Sequence, residues 1–206
     1  MKYLHTLVLL ACFLSITTIS QNTPATSQIR SATKAAKLSK DNQSKTVAIE
    51  NLSFIKISEN KKKTYVVIFL GTDCPISQKY VHTLREMHTN YANDITLFGI
   101  VPNNFSDKKI SAFKNDFKIP FEILRDADNK FAKEFNATVT PESFLFDSNG
   151  IVYYDGAIDD WFYALGRNKL KPNNTYLINA IEDLINGRPI LANHIDAIGC
   201  FIEMEK

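Results

Sequence analysis

The sequence predicts an α/β domain, a central mixed sheet flanked by helices, and three observations carry that reading. The run "TYVVIFL" at 64–70 is continuously apolar, β-branched and aromatic, as in a strand buried on both faces of a sheet. A helix begins directly after it, and a second apolar run, "ITLFGIV" at 95–101, repeats the alternation. Finally, "ESFLFD" and "GIVYYDG" are adjacent strands joined by Asp147-Ser148-Asn149-Gly150, which predicts a terminal antiparallel hairpin.

Taken in order, each element has its own signal. Val47, Ile49, Phe54, Ile55 and Ile57 predict one or two short strands before the core. Pro75 suits the first helical position, which makes Cys74 the N-cap of the first helix. Ile76, Tyr80, Leu84, Met87 and Tyr91 recur at helical spacing and mark its buried face. Ile110, Phe113 and Phe117 mark a second helix, "IPFEILRD" holds a short strand, and a helical turn is expected around Asn129 to Phe135. The last helix carries Leu177, Ile178, Ile181, Leu184 and Ile185 on one face, with Gly187 past its end. Beyond it, Ile190, Leu191, Ile195, Ile198, Phe201 and Ile202 give the C-terminal segment reason to pack.

Residues 1–20 read as a signal peptide, with Lys2 as the positive start, Leu7 to Leu14 as the apolar stretch and Thr18-Ile19-Ser20 before the cleavage point. Leu9-Leu10-Ala11-Cys12 resembles a lipobox, but more apolar sequence follows Cys12 than precedes it, so export by cleavage after Ser20 is the reading adopted. The apolar stretch is too short for a membrane span. Residues 21–45 are polar and without apolar period, a tether, and residues 46–206 form the domain. Of 206 residues, 45% are hydrophobic, so the core needs no metal or disulfide to hold it. The net charge is only +2, which argues against nucleic acid as a partner.

Without the leader, Cys74 and Cys200 are the two cysteines left, and an even pair in an oxidising compartment is compatible with a disulfide. Thiolate is the reactive form of cysteine, and a helix N-terminus favours it, lowering the thiol pKa from about 8.5 to roughly 3.5–7.5. Asp73 opposes that shift, and Ser77, one turn into the helix, is placed to donate a hydrogen bond to the thiolate. Thr140-Pro141 stands just before an apolar strand, where a proline fits the strand's beginning, often through a cis bond. His82 and His88 face different sides of their helix and His194 is isolated, so no metal site is expected. Asp155, Asp159 and Asp160 read as a polar loop with Trp161 and Phe162 packing beneath it. No phosphate-cradling glycine loop or serine-nucleophile motif is present, and no cofactor is expected.

The order strand, Cys-Pro, helix, then Thr-Pro and a hairpin resembles the thioredoxin-like redoxins, the group that holds the AhpC/TSA peroxiredoxins and the exported TlpA-like oxidoreductases. Within it the chain is similar to a bacterial subgroup through "GTDCP" at 71–75, "TPE" at 140–142, "GAIDDW" at 156–161 and "GC" at 199–200. The resemblance implies thiol–disulfide exchange with Cys74 as the redox thiol, and Pro75, Ser77, Thr140 and Pro141 around it. Cys200 is then the internal thiol available to resolve it. Protein thiols or disulfides, or a peroxide, would be the substrate, and an external thiol the reductant. Two departures stand out: Ser77 replaces the second cysteine of a Cys-x-x-Cys pair, and Gly71 stands where peroxiredoxins carry threonine. A peroxidase that oxidises Cys74 to sulfenic acid, and a non-catalytic binding module stapled by a Cys74–Cys200 bridge, are the rival readings.

Overall fold

The structure, a computed structural model, describes residues 45–47, 64–103 and 105–204. The chain divides into two units, 1–43 and 44–206, and the first lies outside the described residues. The expected signal peptide, the tether up to residue 44 and the strands expected between residues 49 and 57 lie outside them too.

Six strands form the main sheet, in the order β3 (Glu122–Asp126), β2 (Ile95–Pro102), β1 (Thr64–Phe69), β5 (Glu142–Asp147), β6 (Val152–Gly156) and β9 (His194–Ile195). β1 (Thr64–Phe69) is central, parallel to β2 (Ile95–Pro102) and antiparallel to β5 (Glu142–Asp147). β3 (Glu122–Asp126) runs parallel to β2, and β6 (Val152–Gly156) closes the hairpin with β5. This is the mixed sheet predicted. Its helices are α1 (Pro75–Asn90), α2 (Asp107–Asp116), α3 (Lys130–Phe135) and α4 (Tyr176–Ile185).

Both faces of β1 are buried, so its residues sort by parity into two cores. Val66, Ile68 and Leu70 pack with Tyr80, Leu84 and Met87 of α1, Phe113 of α2 and Leu177 and Ile181 of α4. Tyr65, Val67 and Phe69 face Phe135 of α3 together with Phe144 and Phe146 of β5. Phe135 sits 5.0 Å from Phe144 and 5.8 Å from Phe69, edge-on to both, so truncating it to alanine would cost about 3–5 kcal/mol.

Five short strands carry no signal in the sequence. β4 (Val139–Thr140) precedes Pro141, and β10 (Cys200–Phe201) pairs with it antiparallel. β7 (Phe162–Ala164) and β8 (Arg167–Asn168) form a small hairpin, and β9 (His194–Ile195) adds to the edge of β6. The C-terminal segment thus returns along the domain, but its apolar residues do not all pack. Ile202 is buried, whereas Phe201, on a two-residue edge strand that presents alternate side chains to solvent, is 79% exposed, and Leu191, outside any strand, is 93% exposed.

Candidate functional site

Cys74 sits at the junction of β1 and α1 as the N-cap, in extended conformation, with Pro75 in the first helical turn. The Cys74 side chain makes no capping hydrogen bond to this helix, whose N-terminal end carries the positive pole of its dipole. Cys74 is 4% exposed. Its sulfur lies 3.1 Å from the carbonyl oxygen of Thr140.

Cys200 reaches the same point from the far end of the chain. Residues 74 and 200 are joined by a disulfide, with Cα atoms 6.1 Å apart. β10 sets that approach, since Cys200 stands opposite Thr140 and Phe201 opposite Val139. The Ile202 N–H donates to the Thr138 carbonyl at 2.9 Å, and the Asn129 side-chain amide donates to the Glu203 carbonyl at 2.7 Å. Gly199 lies so close to Thr140 that a Cβ there would overlap the Thr140 carbonyl. Gly71 is constrained from the other side. A Cβ at residue 71 would stand 2.8 Å from both the Cys74 Cβ and the Thr140 Oγ1. The glycine found where peroxiredoxins carry threonine is therefore demanded by close packing.

The Thr140–Pro141 bond is cis. Glu142, buried, anchors the segment that leads into it. Its carboxylate accepts from the Thr138 N–H at 2.7 Å and the Val139 N–H at 3.2 Å. Glu142 is not among the site residues the sequence singles out; its signal there is a carboxylate three and four residues after the Val139 and Thr138 N–H groups. Pro141 in turn lines a small pocket with Tyr80, Asp159, Phe162, Ala197 and Ile198.

Two contacts add to the expected surroundings of Cys74. Asp73 does not confront the thiol alone, because its exposed carboxylate forms an ion pair with Lys109. Ser77 is fully buried, and its Oγ accepts from the Gly71 N–H at 3.1 Å, so its first task is to hold the loop before Cys74. Nearby, the Thr72 hydroxyl is buried and has no hydrogen-bond partner among the described residues.

The three aspartates do separate things. Asp159 is 5% exposed; it accepts from the Tyr80 hydroxyl and, at 2.8 Å, from the Trp161 N–H. Burial pushes its pKa above the usual carboxylate range, and burial beside it pushes the Tyr80 hydroxyl up as well. Asp160 organises the loop, accepting from Lys169 at 2.6 Å and from the Asn173 and Asn174 N–H groups at 2.7 and 3.1 Å. The Lys169 ammonium holds its pKa well below the usual range. Trp161 and Phe162 pack on Tyr80, with ring centroids 5.5 and 5.6 Å away.

Asp155 pairs with Lys45 at 2.7 Å and with His194, so His194 is not isolated. A parallel pairing of β9 to β6 sets Asp155 opposite His194, and Asp196 meets the other ring nitrogen at 3.1 Å. The hydrogen bond to Asp155, ahead of that to Asp196, raises the His194 pKa. Among the described residues no group of three His, Cys, Asp or Glu side chains is arranged to hold a metal ion. None of their helices is long and apolar enough to cross a membrane.

Comparison with known proteins places this arrangement. The profile of the AhpC/TSA family matches residues 21–155, a range that holds Cys74 and Thr140–Pro141, ends before Cys200 and includes the segment expected to be a tether. Among solved structures the chain is similar to an uncharacterized conserved protein from Geobacillus kaustophilus, at 24% identity over 70% of this chain and 78% of that one, with a TM-score of 0.62. A hypothetical protein from Sinorhizobium meliloti is similar at 23% identity over 70% and 81%, TM-score 0.61. A thioredoxin-like protein solved in its oxidized form follows at 12% identity over 65% and 86%, TM-score 0.50. No curated protein matches. The strand–Cys-Pro–helix junction, the cis-proline segment facing it and the family match agree: this chain belongs to the AhpC/TSA family, with a thioredoxin-like fold.

Proposed function

We propose that this chain is an exported thiol–disulfide oxidoreductase whose redox element is the Cys74–Cys200 pair. The observation that carries this is the location of the bridge: one sulfur at the N-cap of α1, the other on a strand paired to Thr140. A helix N-terminus stabilises the thiolate left when such a bridge opens. With Lys109 neutralising Asp73, the adjacent carboxylate opposes this less than its position in sequence implies. Thr140 and Pro141 serve as the facing wall, Pro75 and Ser77 as the support of the Cys74 loop. Protein thiols or disulfides are the substrate class and an external thiol completes the cycle. A cleaved leader over residues 1–20, a tether over 21–45 and a domain over 46–206 belong to the same proposal.

The test is alkylation of the reduced protein as a function of pH. The proposal expects Cys74 to react with a pKa below that of an ordinary thiol. A value at or above about 8.5 would remove the chemical basis for exchange.

One observation favours peroxide as the oxidant: the buried Thr72 hydroxyl, two residues before Cys74, has no hydrogen-bond partner among the described residues, an unsatisfied group that a small polar substrate admitted there would satisfy. In that reading the Cys74 thiolate takes the terminal oxygen of the peroxide and becomes sulfenic acid, and Cys200 displaces water to close the bridge. Trapping of a sulfenic acid at Cys74 in Cys200→Ser after one equivalent of hydrogen peroxide supports it; an unmodified thiol contradicts it.

A further inference from the structure

The two sulfurs of the bridge are not equally reachable, and from this we infer that the external thiol attacks Cys200, with Cys74 as the leaving thiolate. The inference rests on the thiol–disulfide reading above and assigns the order of its steps. A single cysteine beside a helix N-terminus would ordinarily be the point of entry; the packing here reverses that order.

Exchange needs the attacking sulfur, the attacked sulfur and the leaving sulfur close to a line. Around Cys74 there is little room for such an approach. Cys74 is 4% exposed and belongs to the core cluster that includes Leu70, Ile76 and Ile158. An extended segment seeking Cys74 along β4 finds the edge taken, because β10 occupies it with Cys200 opposite Thr140 and Phe201 opposite Val139. Gly199 closes the remaining gap, lying against Thr140 so tightly that there is no room for a Cβ. Attack on Cys200 meets none of this. It is only partly buried, on a short edge strand, and Phe201 beside it is 79% exposed.

Leaving-group chemistry points the same way. A thiolate of lower pKa leaves faster, and the sulfur at the N-cap of α1 is the one that sits at the positive end of a helix dipole. In the first step a thiolate RS⁻ bonds to the Cys200 sulfur, the bond between the two cysteines breaks, and its electron pair goes to Cys74. The Cys74 sulfur then takes a proton from solvent, and the Thr140 carbonyl, 3.1 Å away, accepts the hydrogen bond of the thiol so formed. In the second step another thiolate attacks the outer sulfur, RS–SR forms, and Cys200 leaves as thiolate. Two electrons pass from two external thiols to the bridge. Cys200 is thus the sulfur that carries the mixed disulfide.

The experiment uses the oxidised wild-type chain and limiting glutathione, with iodoacetamide present throughout so that a displaced thiolate is capped before it recloses the ring. Digestion and mass spectrometry then locate each modification. The expected result is glutathione on the peptide containing Cys200 and carbamidomethyl on the peptide containing Cys74. The opposite pattern, or equal labelling of both, overturns the inference and leaves the oxidoreductase reading standing. A bridge that stays closed in the folded protein under excess dithiothreitol overturns that reading, and this inference with it.

Discussion

Cys200 lies directly opposite Thr140 in an antiparallel pair, so the strand that carries one sulfur is aligned by the residue whose carbonyl touches the other. Three segments distant in sequence converge there: 71–77, 138–142 and 199–203. What lets them converge is the lack of a side chain at Gly71 and Gly199, each of which approaches Thr140 more closely than a Cβ permits.

Gly199→Ala follows from that contact. The added methyl overlaps the Thr140 backbone, so β10 must shift and the two cysteines lose their alignment. The variant is expected to lose about 1–3 kcal/mol in urea unfolding and to re-form its bridge more slowly after reduction. An unchanged midpoint together with an unchanged rate would show that the strand has slack.

Glu142 should matter through its oxygen and not only its volume. Glu142→Ala leaves the buried Val139 N–H and the Thr138 N–H without their acceptor, at a cost of about 1–3 kcal/mol. Glu142→Gln retains an accepting oxygen and should recover most of the loss, with bridge closure near the wild-type rate. Equal damage from both substitutions, measured by unfolding and by closure kinetics, would contradict this positioning role.

The charge cluster at β9 makes a pH prediction. Lys45, Asp155 and Asp196 are the charged groups facing His194, and the two carboxylates raise its pKa in the folded state. A raised folded pKa means the His194 contribution is complete below about 6.5 and fades as pH rises through the folded value. Hydrogen exchange at the Ala157 amide, which donates to Ile195, should therefore quicken across that interval beyond the intrinsic pH effect. In His194→Asn this extra pH dependence should vanish; if it persists, another group is responsible.

Asp159 is expected to cost stability at neutral pH, because burial raises its pKa and the charged form is the one penalised. Between the ordinary carboxylate value and the folded value the native state binds more protons, so stability falls as pH rises through that window. Asp159→Asn keeps an acceptor for Tyr80 and for the Trp161 N–H and should be at least as stable as wild type at pH 7. Asp159→Ala orphans both donors and should lose about 1–3 kcal/mol. Thermal unfolding of the pair at two pH values checks the order.

Much of this was legible because hydrophobic period reports burial. β1, β2 and α1 announce themselves through Val66, Leu97 and Leu84, each where the period placed an apolar side chain. The short elements were not, since two residues have no period: β4, β9 and β10 gave no signal, and β7–β8 looked like a polar loop. For the same reason Leu191 and Phe201 were expected to pack and instead face solvent. Pairwise polar contacts between distant segments were also out of reach, as with His194 and Asp155 or Lys109 and Asp73. Cys74 and Cys200 were recognisable as a pair by arithmetic, but their approach depends on the β4–β10 register, which sequence does not state.

The central claim is that the Cys74–Cys200 bridge opens and closes in use. A bridge closing 126 residues is able to stabilise the fold by about 5 kcal/mol in the chain-entropy model, which suits a permanent staple as well as a working one. Its reduction potential separates the two most directly, measured by equilibrating the folded protein in dithiothreitol redox buffers and counting free thiols. A redox element is expected above about −300 mV, within reach of protein and small-molecule thiols. A value well below roughly −300 mV would mark a structural staple and contradict the claim.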